Sequence, residues 1–363
     1  MNMPERKNRE KRVVLGMSGG VDSSVAAGLL QEQGFEVLGL SMELYSCDRV
    51  MAEGCCTPKD RLDARRVCEN FGIPFEIIDL RIPFRKQVME YFASEYSKGR
   101  TPLPCAPCNA LVRFKALLDY ADSVEAHWIA TGHYARVVRD ENGASLLRAL
   151  DPKKDQSYFL WGLSQLVLKR LLFPIGGLKK EEVRVLAKKW NLVTSEKKES
   201  QDLCFVGEEG PSRFLENHFP DSAFGAGDFL DATGEKLGRH QGVHAYTIGQ
   251  RRGLGVSAKE RLYVTQLNPE KNQVVLGPRK GLQANGLVAK DLQWIGASCV
   301  MRHASCVVKI RSRHLGVASA LEECEEGLKV SFDTPQEAVT PGQAAVFYNG
   351  DVCLGGGWIE RAL

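Results

Sequence analysis

The chain has 363 residues, 44% of them hydrophobic and 26% charged, with a formal net charge of +3. That length exceeds a single core and implies two or three domains. No apolar run approaches the roughly 20 residues that span a bilayer, so no membrane association is expected. The charge is too small for a non-specific polyanion binder, and any nucleic-acid contact must come from local basic patches.

The opening MNMPERKNREKR is basic and lacks the apolar stretch of a secretory signal, which predicts a flexible tail over residues 1–11 and a cytoplasmic protein. In that setting the 11 cysteines read as reduced thiols, ligands or catalytic groups rather than as a disulfide framework. Arg12–Met17 has the apolar run of a buried strand. Val21–Gln33 reads as a helix with Asp22 in its first turn, and Phe35–Met42 as the next strand. Apolar positions at Leu62, Ala64, Val67 and Cys68 predict a helix over Asp60–Phe71 that stops at Gly72. Pro74–Asp79 reads as a third strand, Phe84–Lys98 and Leu111–Ala121 as helices, and Trp128–Thr131 as a short strand entering Gly132-His133. Such alternation argues for an α/β domain with a parallel sheet covered by helices.

After Leu163 the pattern is helical and basic, and Gly207–Lys280 is Gly-rich with short extended stretches, which suggests a small central module. Beyond Leu282, β-like runs recur at Cys306–Ile310, Gly327–Phe332, Ala344–Tyr348 and Trp358–Glu360, as in a compact C-terminal β-barrel. The expected boundaries are 12–205, 206–282 and 283–363.

Ser18-Gly19-Gly20-Val21-Asp22-Ser23-Ser24 joins the first strand to the first helix. Its glycines allow close backbone approach to an anion, and the helix N-terminus supplies free N–H groups and a positive dipole end. The serines add donors, and Asp22 is a candidate ligand for the Mg2+ that accompanies a nucleotide. The loop carries neither the Gly-Lys-Ser/Thr ending of a Walker A motif nor G-x-G-x-x-G. It resembles the pyrophosphate-binding (PP) loop of the N-type ATP pyrophosphatases, which implies ATP bound by Gly16, Met17, Ser18, Gly19, Gly20, Val21, Asp22 and Ser23. Met42, at the end of the second strand, would lie beside the adenine.

Cys105-Ala106-Pro107-Cys108-Asn109 reads as a Pro-rich turn just before the Leu111–Ala121 helix, a position that favours a thiolate. No second CxxC accompanies it, so a four-thiolate zinc site is disfavoured. Cys204 is the other candidate; as a residue alone it is more often a buried small hydrophobe. Cys68 falls on an apolar helical face and reads as core. Cys55-Cys56 sits in a loop without assignment, and Cys299, Cys306, Cys324 and Cys353 lack ligand spacing and read as structural.

Further strings lie along the chain: GRTPLPCAPCN (Gly99–Asn109), ATGHYAR (Ala130–Arg136), KKDQSYFL (Lys153–Leu160), SQDLCFVGE (Ser200–Glu208), GRHQGVHAYTIGQRRGLG (Gly238–Gly255) and TPGQAAVFYNGDVCLGGG (Thr340–Gly357). With SGGVDSS and in this order, they make the chain similar to the tRNA-specific 2-thiouridylase family over nearly its whole length. The resemblance implies a parallel-sheet domain of the adenine nucleotide α-hydrolase type (PP-loop), followed by a small tRNA-binding module and the barrel. It implies ATP-dependent 2-thiolation of the wobble uridine of tRNA for Lys, Glu or Gln, through an adenylated C2 oxygen. Cys204 would carry a persulfide and Cys108 would be its nucleophilic partner, the sulfur coming from a cysteine desulfurase or a relay protein. Leu103, Pro104 and Cys105 would touch the target base. Gly132 would lie by the nucleotide, and His133, Lys154, Asp155, Gln156, Arg311, Ser312 and Gln343 by the tRNA. Lys309–His314 matches the family's phosphate-contacting strand, although on charge alone it reads as a solvated strand face.

Many members have Asp where this chain has Cys105. A third thiol beside Cys108 and Cys204 gives potential ligands for a [4Fe-4S] cluster, which would take the place of the persulfide. Two competing functions are an ATP pyrophosphatase acting on another base or a small molecule, and a non-catalytic RNA-binding or sulfur-relay protein. The small-molecule reading lacks a glutaminase-like segment, and the non-catalytic reading leaves SGGVDSS without a purpose.

Overall fold

The computed structural model describes residues 10–45, 57–198, 203–207, 210–220, 225–296 and 305–363. Residues 1–9 of the expected tail, the pair Cys55-Cys56, Glu199–Asp202 of the string around Cys204, and Cys299 lie outside the described residues.

Strands β1 (Arg12–Gly16), β2 (Glu36–Glu43), β3 (Phe75–Asp79) and β4 (Trp128–Thr131) begin the first domain, and a hairpin β5 (Ala135–Asp140) and β6 (Gly143–Arg148) follows before the short β7 (Leu171–Leu172). A parallel sheet forms in the order β3-β2-β1-β4-β7. Val13, Val14 and Leu15 of β1 are all fully buried, as expected for a central parallel strand covered on both faces. Val13 and Leu15 meet α1 (Val21–Glu32), α2 (Pro58–Phe71) and, later in the chain, the Val183–Ala187 face of helix Lys180–Lys189. Val14 points the other way, toward helix α3 (residues 81–97) and helix α4 (residues 105–123).

Local chemistry sets the helix ends. Thr57 and Asp60 form a reciprocal capping box with Pro58 at the first helical position, and Gly72 closes α2 in the left-handed conformation at φ 65°. The expected turn at Cys105–Asn109 is in fact helix. The α4 helix begins at Cys105 and widens to a π-helical segment over Cys108–Arg113. The prolines of that string suggest a breaker, but in a first turn proline's missing N–H has no intrahelical partner to lose. A second π segment, Arg85–Met89, lies within α3.

After α5 (Lys180–Lys189) and α6 (Gly210–His218) come β8 (Gly227–Leu230), β9 (Lys236–His240), β10 (Tyr263–Asn268) and β11 (Gln273–Gly277), a separate sheet with its own core around Phe229, Val264 and Val274. The last region holds β12 (Gln283–Trp294), β13 (Ser305–Lys309), β14 (Val317–Cys324), β15 (Gly327–Glu337), β16 (Ala344–Asn349) and β17 (Val352–Ala362). They run β12-β15-β14-β13-β16-β17, and β12 pairs with β17 to close the barrel.

One connection leaves no sign in the sequence. The β5–β6 hairpin of the first domain extends the barrel sheet, with Val352 opposite Leu147 and Cys353 opposite Leu146. Tyr348, Val346 and Cys353 accordingly bury in the same core as Val14 and the α3 and α4 helices.

Candidate active site

A cleft of about 1180 Å³ opens at the carboxyl ends of β1, β2 and β4. The strand order reverses between β1 and β4, where open α/β sheets bind their ligands. Gly16, Met17, Ser18, Gly20, Val21, Asp22 and Ser23 line it, with Leu40 and Met42 from β2, Thr131 at the end of β4 and Gly132, His133 and Tyr134 just after it. The Ser23 hydroxyl donates to the Gly20 carbonyl (3.1 Å) and accepts from the Ser18 amide (3.3 Å); Ser24 donates to the same Gly20 carbonyl (2.8 Å). These bonds curl the loop so that the first N–H groups of α1 remain available to an anion. Gly19, at φ +72°, passes so close to the Asp60 backbone that no Cβ fits. Gly132 is forced as well, since a Cβ there would lie 2.6 Å from the Ser23 amide nitrogen.

Two lysines that sequence reasoning missed hold this loop. Lys197 Nζ donates to the Gly19 carbonyl (2.9 Å) and to Asp63 (2.6 Å), and pairs with Asp60 (2.7 Å). Burial opposes its charge, but the two carboxylates more than offset this and its pKa rises above the ordinary lysine value. Lys180 Nζ contacts both Asp22 oxygens at 2.7 and 2.9 Å, and the Tyr134 hydroxyl donates to the same carboxylate at 2.9 Å. The candidate magnesium ligand is therefore already neutralised by an ammonium. Both lysines fall in a stretch whose sequence says only that it is basic, and nothing in their spacing marks them.

His133 lines the cleft with its Nδ1 2.8 Å from the Thr131 hydroxyl, its ring against Phe114 and Phe173. Burial, with Arg113 a secondary cause, pushes its pKa down to about 3, so the imidazole is neutral at physiological pH.

Lys154, Asp155 and Gln156 also lie on the wall. Gln156 braces Tyr134 through its side-chain oxygen and its backbone N–H (2.9 and 2.8 Å). The Asp155 side chain is almost wholly shielded. Its carboxylate accepts from the Ala149 and Ser157 amides and the Ser157 hydroxyl, 3.9 Å from Lys309.

The basic run needs correction. Strand β13 stops at buried Lys309, and residues 311–314 form a turn rather than a strand. Ser312 and Arg313 face the cleft, while Arg311 is exposed and donates to the Glu337 carbonyl (3.1 Å). The apolar residues Val307, Val308 and Ile310 lead straight into the charges, so the run looks like one strand in sequence. Gln343 is off the cleft wall; its amide donates to the Thr101 and Pro102 carbonyls at 3.0 and 3.3 Å.

Leu103 and Pro104 lead into α4 and Cys105 and Cys108 lie in its first turn; none of the four lines the cleft, to which the same helix contributes Arg113, Phe114 and Leu117. Cys105 is half-buried and Cys108 buried. Cys204 is half-buried in a turn and packs on the core that contains Cys108. Among the described residues no three Cys, His, Asp or Glu side chains are grouped as metal ligands. Cys68, Cys306 and Cys353 are buried, and burial raises the thiol pKa of Cys68 and Cys306 to about 12; Cys324 is exposed at a strand end. Among the described residues no helix is long and apolar enough to cross a membrane.

Comparison with known proteins places three family models along the chain: a tRNA methyl transferase HUP domain over residues 11–208, a tRNA methyl transferase PRC-barrel domain over 212–278, and an aminomethyltransferase β-barrel domain over 284–359. The tRNA-specific 2-thiouridylase MnmA of Geobacter metallireducens is 46% identical over 97% of this chain and 98% of its own. Its counterpart in Geotalea uraniireducens is 44% identical over 99% and 97%. A solved 4-thiouridine synthetase–RNA complex with bound ATP aligns at a TM-score of 0.36 and 16% identity, over 58% of this chain and 51% of that one.

Proposed function

Because this chain belongs to the tRNA-specific 2-thiouridylase family, we propose that it thiolates the wobble uridine of tRNA for Lys, Glu or Gln at C2, using ATP. The observation that carries the reading is one cleft in which the Ser18–Ser24 loop, the ends of β2 and β4, and a basic rim with Arg113, Lys153, Lys154 and Arg313 face one another. A nucleotide phosphate fits the α1 N-terminus, and an RNA backbone fits the rim, since phosphate contacts position a nucleic acid while the pocket reads the extruded base.

In the proposed reaction the C2 oxygen of uridine attacks the α-phosphorus of ATP and pyrophosphate departs along the Ser18–Ser24 loop. Asp22, paired with Lys180, is the residue that would hold a Mg2+ ion, which would supply charge to offset that of the phosphates. The terminal sulfur of a Cys204 persulfide then attacks C2, and AMP leaves. Cys108 thiolate attacks Sγ of Cys204, so the S–S bond breaks toward the base, 2-thiouridine is released and a Cys108–Cys204 disulfide forms. A cellular dithiol reduces it, and a cysteine desulfurase or sulfur-relay protein reloads Cys204. Neutral His133 and the Gln156–Tyr134 brace keep the cleft wall fixed while charge develops on the nucleotide.

The test uses purified protein with MgATP, a cysteine desulfurase, L-cysteine, a dithiol and tRNA transcripts. AMP and pyrophosphate should form only with a transcript bearing the wobble uridine, and a uridine-to-cytidine change there should abolish both. ATP turnover without tRNA, stimulated by a small nucleophile, would contradict the reading.

A further inference from the structure

Just before Cys105, residues 99–104 form a strap on which all three regions converge. Arg100, largely shielded, spreads its guanidinium between Glu95 of α3 (Nε to Oε2, 2.8 Å) and Glu360 of β17 (Nη1 to Oε2, 2.6 Å), and donates to the Ile359 carbonyl at 3.1 Å. The Thr101 amide donates to the Pro341 carbonyl (2.9 Å), and the Gln343 amide returns two bonds to Thr101 and Pro102. On its other side the Thr101 hydroxyl meets that of Thr247, in the central module, at 3.3 Å. The strap leads without slack into α4, with the Leu103 carbonyl accepting from Ala106 (3.3 Å) and the Pro104 carbonyl from Cys108 (3.1 Å).

We propose that Gln343 and Arg100 are positioning residues, which tie this strap to the barrel and thereby set where Leu103–Cys108 lies relative to an RNA held by the barrel. The proposal rests on the reading of Leu103–Cys108 as the base-contacting and sulfur-transfer segment. It gives Gln343 a different part from an RNA contact: its donor N–H groups are spent on the strap. A guanidinium fork at Arg100, donating to a carboxylate and a backbone carbonyl through different nitrogens, and a twin-donor amide at 343 constrain direction as well as distance, as placement of a nucleophile requires.

Gln343→Glu keeps the shape but turns a carboxylate on two carbonyl oxygens; Arg100→Lys keeps the charge but loses the fork. Thiolation would be followed with a tRNA transcript, MgATP, a cysteine desulfurase and L-cysteine, alongside tRNA binding on filters and thermal unfolding. Both variants should lose about tenfold or more in kcat, as expected for a misplaced reacting group. The tRNA Kd and the KM for ATP should stay within about twofold, because uniform binding is untouched. If Gln343→Glu instead weakens tRNA binding about tenfold with kcat at saturation intact, Gln343 is an RNA contact and the proposal falls. If neither variant changes kcat, the tie is dispensable and the proposal also falls. Should Gln343→Glu unfold, Arg100→Lys decides: a uniform loss of binding and turnover there overturns the positioning role. Cys108→Ala, run in parallel, separates the two readings. An active Cys108→Ala enzyme refutes the sulfur-transfer segment itself, whereas an inactive one beside a normal Gln343→Glu refutes only the positioning.

Discussion

Lys197 shows how one side chain can hold a nucleotide loop in shape. It bridges two largely buried carboxylates and the Gly19 carbonyl, so Lys197→Met would strand Asp60 and Asp63 without their cation. Removing one member of such a group costs about 3 kcal/mol, and urea unfolding should show a loss of that order together with a raised KM for ATP. A change below about 1 kcal/mol, as for surface pairs, would contradict the assignment. The raised pKa of Lys197 makes this stabilisation complete below the unfolded lysine value of about 10.4, fading only as pH climbs through the folded value. His133 has the opposite sign. Its folded pKa is depressed, so protonation favours the unfolded chain, and stability falls as pH drops from about 6.5 toward the folded value. Wild type should lose up to about 1.4 kcal/mol per pH unit more than His133→Gln between roughly pH 6 and 4. Parallel acid limbs in the two proteins would show that the ring is solvated.

At the scale of elements, the junction of β4 with α1 leaves no room for a side chain. Gly132→Ala would drive a methyl against the Ser23 backbone nitrogen, which cannot swing away as a side chain would. Activity should fall by about two orders of magnitude through displacement of the loop, while Gly177→Ala, whose Cβ meets nothing within 4 Å, should be near neutral. Equal activity of the two variants would remove Gly132 from the site. The strands and helices of this domain are legible because their apolar periods are unmixed: Val13, Val14 and Leu15 read as buried on both faces, and Gly72 marks a helix end by its left-handed φ. The SGGVDSS loop is legible because its glycines and serines serve a backbone role that tolerates few substitutes. The start of α4 misleads because proline has opposite meanings in a first turn and in a helix interior. The turn at 311–314 misleads because charge alone does not distinguish a strand face from a turn. Lys180 and Lys197 cannot be found this way, since ion pairs formed across 158 and 134 residues leave no local trace.

At the scale of the molecule, the barrel is more than an appended domain. It shares a sheet with the β5–β6 hairpin and a core with α3 and α4, and the Tyr348 hydroxyl lies 3.0 Å from that of Ser157. Deleting residues 283–363 would expose Leu146, Tyr158 and Trp161, all nearly or fully buried in the intact chain. The truncated protein should therefore aggregate or unfold non-cooperatively, and the intact chain should melt the first domain and the barrel in one calorimetric transition. Two well-separated transitions for those regions would argue that they are independent. This sharing cannot be read from sequence, because a hairpin's partner strand some 200 residues away is chosen by tertiary fit.

The central claim is that this molecule puts sulfur on a tRNA uridine through Cys108 and Cys204. It is tested most directly by mass spectrometry of tRNA nucleosides from cells lacking the gene, complemented with wild type, Cys108→Ala or Cys204→Ala. The account predicts that 2-thiolated wobble uridine disappears in the deletion and returns only with wild type. Persistence of 2-thiouridine in the deletion strain, or its full restoration by either cysteine variant, would contradict it.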